Sequence, residues 1–141
     1  MRVTTTYKYP ESGTRNGMVY PPEVLKKAFE DPCFRELCVT NSIPVIEYEH
    51  DKVIGLATAS LEDDNIAAVD ASIFDPFYIA AFKELSKSTD SFGFTLAGTG
   101  ITDCRDDKTY VTDVTFDKVY IFMKDLAVDC HTRIYTEELF T

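Results

Sequence analysis

VIGLATASLEDDNIAAVDASI, residues Val53 to Ile73, divides into two apolar runs around a short polar centre. Val53 to Leu61 and Ile66 to Ile73 carry the Val, Ile and Thr that suit extended backbone, so each reads as a strand. Between them Glu62, Asp63, Asp64 and Asn65 supply the acid and amide side chains of a tight turn. The stretch therefore predicts an antiparallel hairpin.

Upstream, Pro44 to Glu49 is another strand, and Met1 to Tyr9, with three successive threonines, is the first. Downstream, Phe92 to Ala97, Thr109 to Phe116, Val119 to Met123 and Leu126 to Tyr135 have the same character. Two helices interrupt the strands. One opens at Pro21-Pro22-Glu23, carries Leu25, Ala28 and Phe29 on one face, and is expected to stop near Asp31-Pro32. The other starts with Asp75 as cap and Pro76 at its first position, with Tyr78, Ile79, Phe82 and Leu85 as its apolar stripe. The expected fold is α+β: a single domain over residues 1–141, built as a closed or nearly closed, mostly antiparallel barrel flanked by two helices.

Composition bounds the function classes. A chain of 141 residues with 45% hydrophobic content, ten Phe and eight Tyr can bury one core without a disulfide or metal, so disorder is not expected. A net charge of -10 repels phosphate backbones and anionic lipid heads, which argues against nucleic acid; it reads first as a solubilising charge, with a basic protein surface as the better candidate among partners. No N-terminal apolar run and no stretch of 18 apolar residues occurs, so neither secretion nor a membrane span is expected, and the chain reads as cytoplasmic when made. Cys33, Cys38, Cys104 and Cys130 show no C-x-x-C pairing. They read as small buried apolar residues, with oxidation between neighbouring subunits of a particle as the alternative.

Histidine chemistry has to use His50 or His131. His50 closes the strand Pro44 to Glu49, where an imidazole is exposed at a strand end; a surface histidine in a charged turn is the plainer reading. His131 beside Cys130 has no second Cys or His at ligand spacing, so no metal and no cofactor is expected. The segment Asp90 to Gly100 offers Ser91 and Thr95 as hydroxyls and Gly93, Gly98 and Gly100 as sites of close backbone approach, suited either to an oxyanion hole or to a bulge or tight turn. Asp113 or Asp117 would supply the acid of a Ser/Thr-His-Asp arrangement. Asp63-Asp64 and Asp106-Asp107 read as solvated turn carboxylates.

Three segments together resemble the prohead (capsid maturation) proteases of tailed bacteriophages. Arg15-Asn16-Gly17-Met18-Val19-Tyr20-Pro21 resembles that family's Arg-Asn-Gly-x-x-Tyr-Pro lead into the first helix. Ile43 to Asp51, running on into Ile54-Gly55, is similar to its catalytic-histidine strand, and Asp90 to Gly100 followed by Val111 to Phe122 is similar to its nucleophile region. The resemblance covers residues 13–125. It implies a barrel shared with the herpesvirus assemblins, His50 as base, and an acid near Asp117. For the nucleophile two registers compete: Ser91-Phe92-Gly93-Phe94 fits a Ser-x-Gly-Phe form, whereas Gly93 to Gly100 fits a longer form that places Thr95 at the serine and Ala97 at an arginine. The first implies an active serine endopeptidase that cleaves scaffold and capsid proteins through Ser91, His50 and Asp117. The second, with a crowded secondary alcohol and a lost cation, implies a protease shape retained as a decoration or cement protein. That reading leads. It implies attachment to a major capsid or scaffold protein in multiple copies, in a virion assembled in a bacterial cytoplasm.

Overall fold

The computed structural model describes residues 1–9, 13, 17–85, 92–123 and 133–135. The hairpin expected over Val53 to Ile73 is present. Strands β4 (Lys52–Asp63) and β5 (Ile66–Ile73) pair antiparallel around Asp64 and Asn65, and β1 (Arg2–Lys8) adds to the far side of β5. On the other side, β3 (Ile43–Glu47) pairs antiparallel with β4 and parallel with β7 (Lys108–Met123). The short β2 (Met18–Val19) lies parallel to the start of β7, β6 (Phe92–Arg105) runs antiparallel along its whole length, and β8 (Arg133–Tyr135) follows β1. Among the described residues the strands form one mixed, eight-stranded sheet in the order β2-β7-β3-β4-β5-β1-β8, with β6 paired to β7 off that path; the sheet does not close, so of the closed or nearly closed barrel expected from the sequence the closed form is not seen.

Two expected strands, Thr109 to Phe116 and Val119 to Met123, are one strand, because a bulge bends β7 without ending it. Ala97 faces Lys118 and Gly98 faces Phe116, which leaves Asp117 as the extra residue. The β6–β7 connection is a two-residue turn, Asp106 and Asp107, both at positive φ (51° and 66°), as a primed hairpin turn requires.

There are three described helices rather than two: α1 (Pro22–Glu30), α2 (Pro32–Val39) and α3 (Pro76–Leu85). Asp31-Pro32 does stop α1, but the same pair starts α2: the Asp31 carboxylate accepts from the Phe34 amide at 3.1 Å, and Pro32 occupies the first turn. Beyond Ala57, the last β4 residue paired with β3, α2 covers the edge of β4, where the Thr58 hydroxyl donates to the Cys38 carbonyl at 2.8 Å.

The inward residues of the sheet (Val3, Val45, Ala57, Ala71, Phe94 and Val119 among them) form one cluster with Leu25 and Ala28 of α1, Phe34 of α2, and Tyr78 and Phe82 of α3. No described helix is long and apolar enough to cross a membrane. Cys33 and Cys104 are exposed and Cys38 is partly so, contrary to the burial expected for them: Cys33 sits in the first turn of α2, and Cys104 lies next to the hairpin tip. Cys130 lies outside the described residues.

One core position is poorly matched. Thr5 is 2% exposed and its hydroxyl has no hydrogen-bond partner among the described residues. Thr5→Val keeps the shape and removes that group, so chemical denaturation is expected to show a gain of about 1 kcal/mol; a loss of stability would mean the hydroxyl is satisfied.

The outer face of the sheet is unusual for its apolar content. Ile46 pairs with Val53 and Pro44 with Leu56, all facing outward, and Phe74 and Tyr48 extend the row at the same end. Val53, Leu56, Tyr48, Phe74 and, at the start of α3, Phe77 are exposed large apolar side chains.

Candidate functional site

Alternation along β3 sends Ile43, Val45 and Glu47 to the core, so the last inward position is an acid. Its side chain is 2% exposed. The chain then turns through Tyr48 to Asp51, which closes the turn at φ 51°. Within that turn one oxygen of Glu47 accepts two hydrogen bonds from His50, from the backbone amide at 2.8 Å and from Nδ1 at 2.8 Å. The imidazole itself is 68% exposed. In the tautomer that carries its proton on Nδ1 the ring donates to Glu47 and Nε2 is left as the acceptor, the arrangement of an oriented general base.

One further side chain meets Glu47, and an ion pair flanks it. Tyr78 of α3 hydrogen-bonds to its carboxylate; burial pushes the Tyr78 phenol above its ordinary value, and the charge of Glu47 adds to the effect. Lys52, the β4 residue paired with Glu47, lies over the Tyr78 ring at 5.9 Å and is held by Asp75 at 2.7 Å. Asp75 also caps α3, accepting from the amides of Phe77 (3.0 Å) and Tyr78 (3.4 Å).

The hydrogen bond from the Lys52 ammonium holds the Asp75 carboxyl below its usual range. A depressed carboxyl stabilises the fold above the ordinary carboxylate pKa, and this contribution is lost as pH falls through the depressed value. Asp75→Asn keeps a capping side chain and removes the charge. Its acid-unfolding curve is therefore expected to be flatter than that of the parent on the acid limb, with the same helix content at neutral pH; coincident acid limbs would refute the pairing.

The four residues singled out from sequence fall differently. His50 has the exposed strand-end position expected of it. The carboxylate on its ring is Glu47, whereas Asp117 is the bulged residue of β7, 53% exposed and paired with Lys118 at 3.7 Å. The parallel register sets Glu47 beside Ile121, four residues and about 13 Å along the strand from Asp117. Thr95 is buried and its hydroxyl donates to the Leu96 carbonyl at 3.3 Å. It lines a cavity of about 490 Å³ with Tyr20, Tyr48, Gly98, Val114 and Tyr120, and Tyr48, packed edge-on against Tyr120 at 5.2 Å, joins that cavity to the His50 turn. Ser91 lies outside the described residues, as do Cys130 and His131. β6 begins immediately after Ser91, at Phe92, which pairs with Met123 at the end of the sheet that carries His50.

Glu47 was the residue that sequence reading missed. Its signal was present as an acid in phase with Ile43 and Val45, three residues before a histidine. Comparison of the chain with protein-family models, curated proteins and solved structures finds no match.

Proposed function

We propose that this chain is a capsid-associated endopeptidase of the prohead-protease type, and the observation that carries the proposal is the His50 imidazole held through Nδ1 by the buried carboxylate of Glu47. Ser91 is the nucleophile in this reading, since it directly precedes the strand that begins at the same end of the sheet. His50 takes the Ser91 proton as the hydroxyl oxygen attacks the scissile carbonyl, then gives it to the leaving amine; amides near Gly93 hold the oxyanion; water releases the acyl group by the reverse sequence. Glu47 takes the orienting role that the sequence had suggested for Asp117. A prohead-protease-like, nearly closed form of this open sheet belongs to the same proposal, supported by the mixed sheet with helices on its inward face. So do scaffold and capsid proteins as substrates and assembly in a bacterial cytoplasm. Incubated with the scaffold protein of its own particle, the parent chain is expected to cleave it, and His50→Ala or Ser91→Ala to slow cleavage by about 10²–10⁴-fold; parent-like rates in either variant would refute the assignment.

A second reading, a decoration or cement protein of the virion without activity, is favoured by the exposed apolar row on the outer face of the sheet. Quantitative mass spectrometry of purified particles separates the two. Copies in fixed stoichiometry with the major capsid protein, together with no cleavage, would support decoration.

A further inference from the structure

The outer face of the sheet near the His50 turn combines apolar side chains with an acidic rim, and we propose that it docks a basic polypeptide segment with apolar side chains, supplied by a different protein. The row is continuous by register: Tyr120 neighbours Ile46, Ile46 pairs with Val53, and the Phe74 amide bonds to the carbonyl of Ile54, next to Val53. Exposed aromatic and aliphatic surface of this kind, gathered in one patch, marks an interaction site more often than scattered apolar residues do.

Charge selects the occupant. Two cations on this face are paired with acids of the same chain: Arg2 with Asp70 at 2.7 Å and Lys118 with Asp117 at 3.7 Å. Glu49 and Asp51 in the turn at the end of the row are exposed, and a carboxylate oxygen of Glu49 lies within 4.8 Å of the His50 ring and the Glu47 carboxylate. The rim is therefore net acidic on a chain of charge -10, which disfavours a second copy and favours a cationic partner. The docking face does not depend on proteolysis, since neither Ser91 nor the Nε2 atom of His50 takes part in it.

The test uses the full chain and two synthetic probes, an alternating Leu-Lys peptide and its Leu-Glu counterpart, with affinity followed by calorimetry. The Leu-Lys peptide is expected to bind and to weaken with added salt, and the Leu-Glu peptide not to bind. Val53→Ser with Phe74→Ser, and separately Glu49→Lys with Asp51→Lys, are each expected to weaken binding roughly tenfold. Asp63→Lys with Asp64→Lys, at the opposite end of β4, is expected to leave it unchanged. Equal loss in that distant variant would reduce the effect to overall charge and overturn the site. Binding of neither peptide, equal binding of both, or a concentration-dependent dimer abolished by Val53→Ser with Phe74→Ser would also overturn it, the last by showing a second copy as the occupant.

Discussion

Phe34→Ala is expected to lower the unfolding free energy by about 3–5 kcal/mol and the thermal midpoint by roughly 10–15 °C. Phe34 is completely buried, with its ring edge-on to Phe29 at 5.3 Å and tilted against Phe116 at 5.8 Å, while Phe29 and Phe116 are themselves 6.0 Å apart. The three rings join α1, α2 and β7, so truncating the central one opens a cavity bounded by three elements. Phe34→Leu keeps most of the volume and is expected to cost about 1–1.5 kcal/mol. Equilibrium denaturation of both variants decides the matter: a loss below about 1 kcal/mol for the alanine would mean that α2 is not anchored through this ring. The variant also probes the edge of β4, since α2 is the element that covers it beyond Ala57. Greater aggregation of Phe34→Ala than of Phe34→Leu under native conditions would follow from exposing that edge.

Asp31-Pro32, one turn before Phe34, shows why one helix was legible and another was not. The same dipeptide type at Asp75-Pro76 was read as a start, and α3 begins there with its cap bonds in place. At Asp31-Pro32 the proline was read only through its effect on the preceding residue, which ends α1. Its compatibility with the first turn of a new helix, and the capping carboxylate of Asp31, were equally present. Local signals of this kind are readable because they involve neighbours in sequence. The β4–β5 hairpin was read for the same reason, its partners being joined by a short turn of acid and amide residues.

Pairings between distant segments were not readable. Nothing in Pro44 to Glu49 announces that one neighbour is antiparallel β4 and the other parallel β7, more than 70 residues away. The acid that meets His50 was missed for a related reason. Sequence order offered Asp117 from a separate strand, whereas tight turns allow a carboxylate to reach an amide and a ring three residues on, as Glu47 does. Its burial follows from strand phase alone, but its pairing depends on the turn reversing within four residues.

Gly98→Ala is expected to cost about 3 kcal/mol or more, the larger of two effects that the glycine-rich segment should show. A Cβ at Gly98 would overlap the Thr115 carbonyl oxygen and crowd the Cα of Phe116, both backbone atoms of the paired strand that no rotamer change can move. At Gly100 the nearest atom, the Asp113 carbonyl oxygen, is 2.8 Å away, and alanine there is expected to cost about 1–2 kcal/mol. The difference separates two uses of the same residue type. Were Gly98 also needed to present an amide to an oxyanion, the alanine variant would lose turnover even under conditions where it stays folded. A purely architectural role predicts unfolding at lower denaturant, with loss of cleavage only as the fold is lost. Since Gly98 faces Phe116 across the bulge that leaves Asp117 unpaired, a stability loss at Gly98 and none on Asp117→Ala would place this end of the segment in the architecture of β6 and β7. The oxyanion role would then rest with Gly93, next to the strand start that follows Ser91.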